Sequence, residues 1–410
     1  MSRKIKNNAP VAAATPADKK KSKLLIAITS VFLSLLIVFG AVFGIVIAVR
    51  NARYVMSYET VGVDSGVASY LSSYYKAVFM KAIAEGGQAV DDNDEFWNQV
   101  VSEGKTVGDY LKAETEKYIK NVIGANYIFN RYAKLTAAEK EDIELAVSEK
   151  LQYSAGGSVT KFNEQTAKYG FDYDDFRVAT EMLYKATAVK DKVFGENGES
   201  MMNFPELCDE YFEKYNHVKL LFVRTETEFV LDDNGNRIPD DEGNDKLIEL
   251  SDAQKAEKAE LVEHLMEIID NVNAGKADAE VFDRLLKDYD EGDRTLHTKG
   301  YYFNTSSEYT REFSEEFSSV TQLSNELVVG QMGYVDCSVG VCFIYKIPRE
   351  DKAYTDTQTN WCFSDFFSLA ASEALQDMLD DIREEIKPKE KWSLIDPIKI
   401  PYNTDYVARF

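Results

Sequence analysis

His217–Thr225 reads HVKLLFVRT, and this run decides the fold class. Its apolar residues stand almost side by side, with β-branched and aromatic members, which predicts a buried strand. Downstream comes LDDNGNRIPDDEGND, in which Asn234-Gly235 is a type I′ hairpin signal. The segment also resembles a calcium loop loosely. However, its sixth position is Arg237 where glycine is needed, and its twelfth is Gly243 where glutamate is needed. Ser251-Asp-Ala-Gln254 caps a helix through Leu261, Leu265, Ile268 and Val272, and a second helix holds Val281, Phe282, Leu285 and Leu286. Gly300–Phe303 (GYYF) reads as a short strand or turn, Tyr309–Phe317 as helical, and Gln331–Ile347 as a hairpin about Ser338-Val339-Gly340. Strand, helices and two further strands imply α+β with an antiparallel sheet.

Both flanks are helical. Upstream, Val67, Leu71, Tyr74, Tyr75, Val78, Phe79 and Ile83 recur at helical spacing, and Gly86-Gly87 ends that helix. Thr106–Leu135 is the longest periodic helix. Thr136-Ala-Ala-Glu139 is a capping box opening the next, which stops at Gly156-Gly157. Thr160–Tyr169 and a helix from Asp172 through Val189 follow. Downstream, the chain is helical from Thr357, with Phe367, Ala371, Leu375, Met378, Leu379, Ile382 and Ile386 in one stripe stopped at Lys387-Pro388. That stripe needs a partner, so both ends of this region are expected to share one lobe. The tail WSLIDPIKIP adds an extended segment.

Leu24–Val49 (LLIAITSVFLSLLIVFGAVFGIVIAV) carries no charge and no proline. As helix it is about 39 Å long, against a hydrocarbon core of about 30 Å. Lys19, Lys20, Lys21 and Lys23 precede it, and only Arg50 and Arg53 follow closely. The positive-inside rule puts the N-terminus in the cytoplasm and residues 54–410 outside. A single-pass anchor is preferred to a cleaved signal peptide, whose apolar core is shorter. The expected layout is a basic tail over 1–23, a membrane helix over 24–49, a helical region over 60–203, a sheet-bearing domain over 205–350, a completing helix over 354–390 and a tail over 391–410.

The net charge is −23, and the N-terminal segment through Arg53 is itself basic, so the rest of the chain is more acidic still. Such a surface excludes nucleic acid as a partner, which needs a basic footprint. Cys208, Cys337, Cys342 and Cys362 form no C-x-x-C and no disulfide scaffold. Cys337 and Cys342 are read on one strand, facing opposite sides. His217, His264 and His297 are the only histidines, which starves histidine-based metal or triad chemistry. No cofactor motif appears.

These pieces together resemble a parvulin-type peptidyl-prolyl isomerase domain over residues 205–350. The region from about 60 to 390 resembles the SurA/PrsA-like foldases. The resemblance is carried by Val218–Val223 (VKLLFV), NVNAGKADAEVFDRLLKDYDEGD, GYYF, Tyr309-x-x-x-Phe313, Val329-Gly330 and Gly340–Lys346 (GVCFIYK). It implies a substrate groove in which the family's two facing histidines fall on Leu220 and Cys342, and its pocket methionine and phenylalanine on Tyr309 and Phe313. His217 lies three residues before Leu220, so strand alternation sends it to the opposite face. No catalytic residue is assigned.

With the anchor read from Leu24–Val49, the resemblance implies an extracytoplasmic foldase that binds unfolded exported polypeptides through an aromatic-rich helical lobe, and the loss of both family histidines makes its isomerase module inactive or weak. Prolyl isomerisation breaks no covalent bond and needs no ionised nucleophile, so an active isomerase remains the alternative. A structural or sensory exterior domain is the third reading.

Overall fold

A computed structural model describes residues 53–87, 90–102, 104–200, 203–232, 236–291, 299–304, 318–337, 340–363 and 365–403. The segment Leu24–Val49, the Asn234-Gly235 turn and the helix expected at 309–317 lie outside them. Among the described residues, no helix is long and apolar enough to cross a membrane. The chain is α+β and divides into two compact units. One combines the described residues up to Thr187 with those from Leu379 onward; Ala188–Met378 form the other.

The first unit opens on a hairpin that periodicity did not foresee, β1 (Met56–Tyr58) paired with β2 (Val61–Val63). Asp64 then caps α1 (Ser65–Glu85), its carboxylate accepting from the Val67 amide at 3.2 Å. The buried side of α1 is broader than its sequence stripe. Tyr70, Lys76, Ala77 and Met80 are buried, whereas Val78 is 42% exposed. The short α2 (Asp94–Trp97) and the ribbon β3 (Val100–Ser102) with β4 (Lys105–Thr106) lead to α3 (Val107–Tyr132). Thr106 and Asp109 form a capping box there, so Thr106 is the cap and not the first helical residue.

The expected Thr136/Glu139 box opens α4 (Ala137–Ala155), which ends with Gly156 in the left-handed region. Next come α5 (Val159–Thr166), a 3₁₀ turn to Gly170 and α6 (Tyr173–Val189). Buried Asn126 ties α3 to α6, its Nδ2 donating to Met182 O at 2.8 Å. Leu379 and Ile382 close the unit at Gly124. A Cβ there would lie 2.9 Å from Leu379 Cδ2 and 3.3 Å from Ile382 Cγ2. The tail departs from the extended reading: Glu390–Leu394 is a 3₁₀ turn, and Lys399 N donates to Asp396 O at 3.0 Å to close a further turn.

The second unit begins with α7 (Phe204–Phe212), capped by Asn203 with proline in its first turn. Then follow β5 (Tyr215–Arg224), β6 (Thr227–Phe229), β7 (Leu247–Glu249), α8 (Asp252–Asn273), α9 (Val281–Tyr289), β8 (Tyr301–Asn304), α10 (Ser318–Glu326), β9 (Met332–Cys337) and β10 (Gly340–Ile347). Four of the strands make an antiparallel sheet in the order β8-β5-β10-β9. The run that decided the fold class is therefore a central strand, paired on both sides.

Alternation gives the sheet two buried faces. Leu221, Val223, Val341 and Phe343 pack with Val262, Leu265 and Ile269 of α8 and Phe282 and Leu285 of α9. Val218, Leu220, Cys342 and Ile344 pack with Val320 of α10, Phe303 and Leu327. Cys337 and Cys342 do not share a strand. The hairpin turns between them, placing Cys337 on β9 opposite Gly340 of β10. All four cysteines are free thiols. The last helix, α11 (Phe366–Glu385), starts later than Thr357, after a 3₁₀ turn at Asn360–Phe363. Its first inward residue is Phe366, fully buried, and not Phe367, which is 47% exposed. Phe366 sits in a knot of rings with Tyr211, Tyr215, Tyr354 and Phe363, and this packing sets which side of the first turn faces inward.

Candidate functional site

Of the four groove candidates, Leu220 and Cys342 are brought together; Tyr309 and Phe313 lie outside the described residues. Register explains the meeting. Leu220 of β5 is paired with Ile344 and Cys342 of β10 with Phe222. Leu220 and Cys342 are thus diagonal neighbours on one face. Both are buried, Cys342 completely, in an apolar cluster with Val218, Phe303, Val320, Leu327 and Ile344.

The chemistry of that face follows from its contents. Burial, with the charges of Cys337 and Asp290 adding to it, pushes the Cys342 thiol well above its ordinary value. The protonated form is a poor nucleophile, and leucine supplies no proton relay. His217 cannot help. It points to the opposite face, stacked on Tyr302 with ring centroids 4.1 Å apart. Its Nδ1 lies 2.7 Å from Pro348 O and its Nε2 2.7 Å from Lys299 O, so both nitrogens are engaged with backbone. His264 is exposed on α8, and His297 lies outside the described residues. Among the described residues, no group of three His, Cys, Asp or Glu could hold a metal ion. What this face offers is close apolar packing.

No known family model matches the chain. No curated protein matches it either. Among solved structures, it is similar to a peptidylprolyl isomerase (PrsA) from Bacillus anthracis at 14% identity, over 65% of this chain and 95% of that one, with a TM-score of 0.22. The corresponding protein from Bacillus cereus gives 16% identity, 73% and 96% coverage and a TM-score of 0.25. PrsA from Bacillus subtilis gives 15%, 68%, 87% and 0.19. Superpositions this loose do not establish a common architecture.

Sequence reading passed over a polar centre in the first unit. Lys76 of α1 is fully buried and pairs with Asp92 at 2.6 Å. Burial lowers the Lys76 pKa, and the bond to Asp92 only partly offsets that. Desolvation raises the Asp92 carboxyl, but bonds from Lys76, the Tyr402 amide and the Trp97 indole together hold it below its usual value. One signal was available: Lys76 is the lone cation within Tyr74-Tyr75-Lys76-Ala77-Val78-Phe79. A charge inside such a run is exposed or paired, and its partners cannot be named from one helix.

Proposed function

We propose that this chain is an extracytoplasmic foldase of the chaperone type, held at the membrane by residues 24–49 with residues 54–410 outside. It binds unfolded exported polypeptides, and its sheet-bearing domain is an inactive or weak prolyl isomerase. One observation carries the reading of the module. The two positions that the parvulin resemblance assigns to histidines are Leu220 and Cys342, packed in one buried apolar face. Among the described residues, that face has no polar network to stabilise a twisted prolyl amide over the planar one. Client binding is supported by apolar side chains left in water on the helical unit, including Tyr153 at 85% exposure and Leu145 at 54%.

The test is aggregation of a denatured, reduced client protein with and without the chain. Suppression at several-fold excess is expected; its absence refutes the chaperone reading. A protease-coupled assay on a proline peptide tests the module separately. Rates at micromolar protein should match the uncatalysed reaction, and clear acceleration would transfer the assignment to an active isomerase.

A further inference from the structure

The Lys76–Asp92 centre lines a pocket that is occupied. The occupant is the chain's own C-terminal segment, Ile395–Asn403. Asp396-Pro397-Ile398-Lys399 is a β-turn with proline at its second position, where the ring presets the backbone angle. Asp396 Oδ1 also accepts from the Ile398 amide at 3.3 Å. Ile398 enters a cluster of Met80, Phe96, Trp97, Val107 and Leu111. It lies so close to α3 that a Cβ on Gly108 would be 2.6 Å from Ile398 Cδ1.

The polar contacts at Lys76 and Asp92 read main chain. Lys76 Nζ donates to Ile398 O at 3.0 Å and to Ile400 O at 2.7 Å. The Tyr402 amide donates to Asp92 Oδ2 at 2.8 Å. Trp97 Nε1 donates to Asp92 Oδ1 at 2.9 Å and holds the carboxylate in place. Every polypeptide carries such carbonyls and amides; selectivity among side chains comes from the aliphatic residue after the proline, from buried Ile400, and from two contacts at the ends, Asp396 with Lys112 at 3.5 Å and Asn403 Nδ2 donating to the Tyr169 hydroxyl at 2.6 Å. The Lys399 side chain is 84% exposed and contributes nothing inside.

Removing Lys76 alone would strand Asp92 and two tail carbonyls, and an apolar pair in place of both partners would leave those carbonyls and the Tyr402 amide unsatisfied while the tail is seated. A charged pair differs in that water can satisfy both partners once the tail leaves, so the open pocket carries no orphaned group.

We infer that this pocket is a binding site for a proline turn of another polypeptide, one with an aliphatic residue after the proline and a second two residues later. The chain's own Asp396–Tyr402 segment occupies the site as a tethered competitor. That the natural occupant is an unfolded exported chain rests on the function proposed above; the pocket itself rests on the contacts just described. A tether holds its competitor at about millimolar effective concentration, so an outside turn binds with reduced apparent affinity until the tail is weakened.

The probe is a fluorescent peptide of sequence LIDPIKIPYN, matching residues 394–403, titrated by anisotropy into the full chain and its Ile398→Ser variant. The variant should bind at least about tenfold more tightly than the parent. A folded variant with parental affinity overturns the inference. A second measurement needs no variant. In the wild-type chain, excess peptide should speed hydrogen exchange over residues 395–403 while the core of α3 keeps its protection. Unchanged exchange with saturating peptide also overturns it. The two proposals separate cleanly. Displacement of the tail by peptide without suppression of client aggregation leaves the pocket standing and the chaperone reading refuted. Suppression with tail exchange unchanged by client or peptide does the reverse.

Discussion

Substituting Gly124→Ala sets two effects of opposite sign against each other at the point where Leu379 and Ile382 meet α3. In a helix interior alanine is favoured over glycine by about 0.8–1.0 kcal/mol. Here the new methyl would stand 2.9 Å from Leu379 Cδ2 and 3.3 Å from Ile382 Cγ2. Those side chains are only 8% and 5% exposed, so they have little space to retreat into. Overpacking of this kind costs about 1–3 kcal/mol. The net expectation runs from neutral to about 2 kcal/mol destabilising, opposite in sign to propensity alone. Leu379→Ala by itself should cost about 2–5 kcal/mol. In that background the nearer obstruction is gone and Ile382 Cγ2 at 3.3 Å remains, so Gly124→Ala should return up to about 1 kcal/mol. The assay is urea unfolding of the four proteins followed by far-UV circular dichroism, with the coupling taken from the double-mutant cycle. If Gly124→Ala stabilises the parent as much as it stabilises the Leu379→Ala protein, the close approach of these helices is wrong.

Three further outcomes are expected. Asp175 is pushed up to about 6, chiefly by burial, so its contribution favours the fold below pH 3.8 and is lost as pH rises through about 6. Asp175→Asn should therefore stabilise by about 1 kcal/mol at pH 7.5 after allowing for solvent screening, and by nothing near pH 3.5, as read by denaturation at both values. Cys337 is the partly exposed thiol and the other three are buried, so a thiol reagent at pH 8 should modify one cysteine quickly in the folded chain and four in denaturant; rapid modification of Cys342 would contradict its placement. His217→Leu leaves the Pro348 and Lys299 carbonyls without their side-chain partner; a loss of about 2–3 kcal/mol is expected in urea unfolding, and a neutral result would show that water replaces the imidazole.

Much of the local structure was legible in the sequence. The capping boxes at Thr136/Glu139 and Ser251/Gln254 are present as drawn, because a cap joins residues three apart and needs no partner elsewhere. The continuous apolar run at Val218–Val223 is a strand, and the two arms of the Gln331–Ile347 hairpin pair. Errors gathered where one helix could bury more than one side. Helical spacing puts Val78 inward and gives no place to Lys76, and it starts the buried stripe of α11 at Phe367 where Phe366 is the buried residue. Periodicity gives the angle between residues but not which neighbours arrive.

The sequence alone determined the caps that open α4 and α8, the alternation that parts His217 from Leu220, and the absence of histidine at the two resembling positions. Each follows from contacts within a few residues or from side-chain chemistry itself. Tertiary structure alone decided that the face of Leu220 and Cys342 is buried under Val320 and Leu327, that Gly124 receives Leu379, and that Lys76 holds carbonyls more than 300 residues away. Contacts at that separation depend on which elements pack together, and a buried charge acquires its partners only when the chain has closed around it.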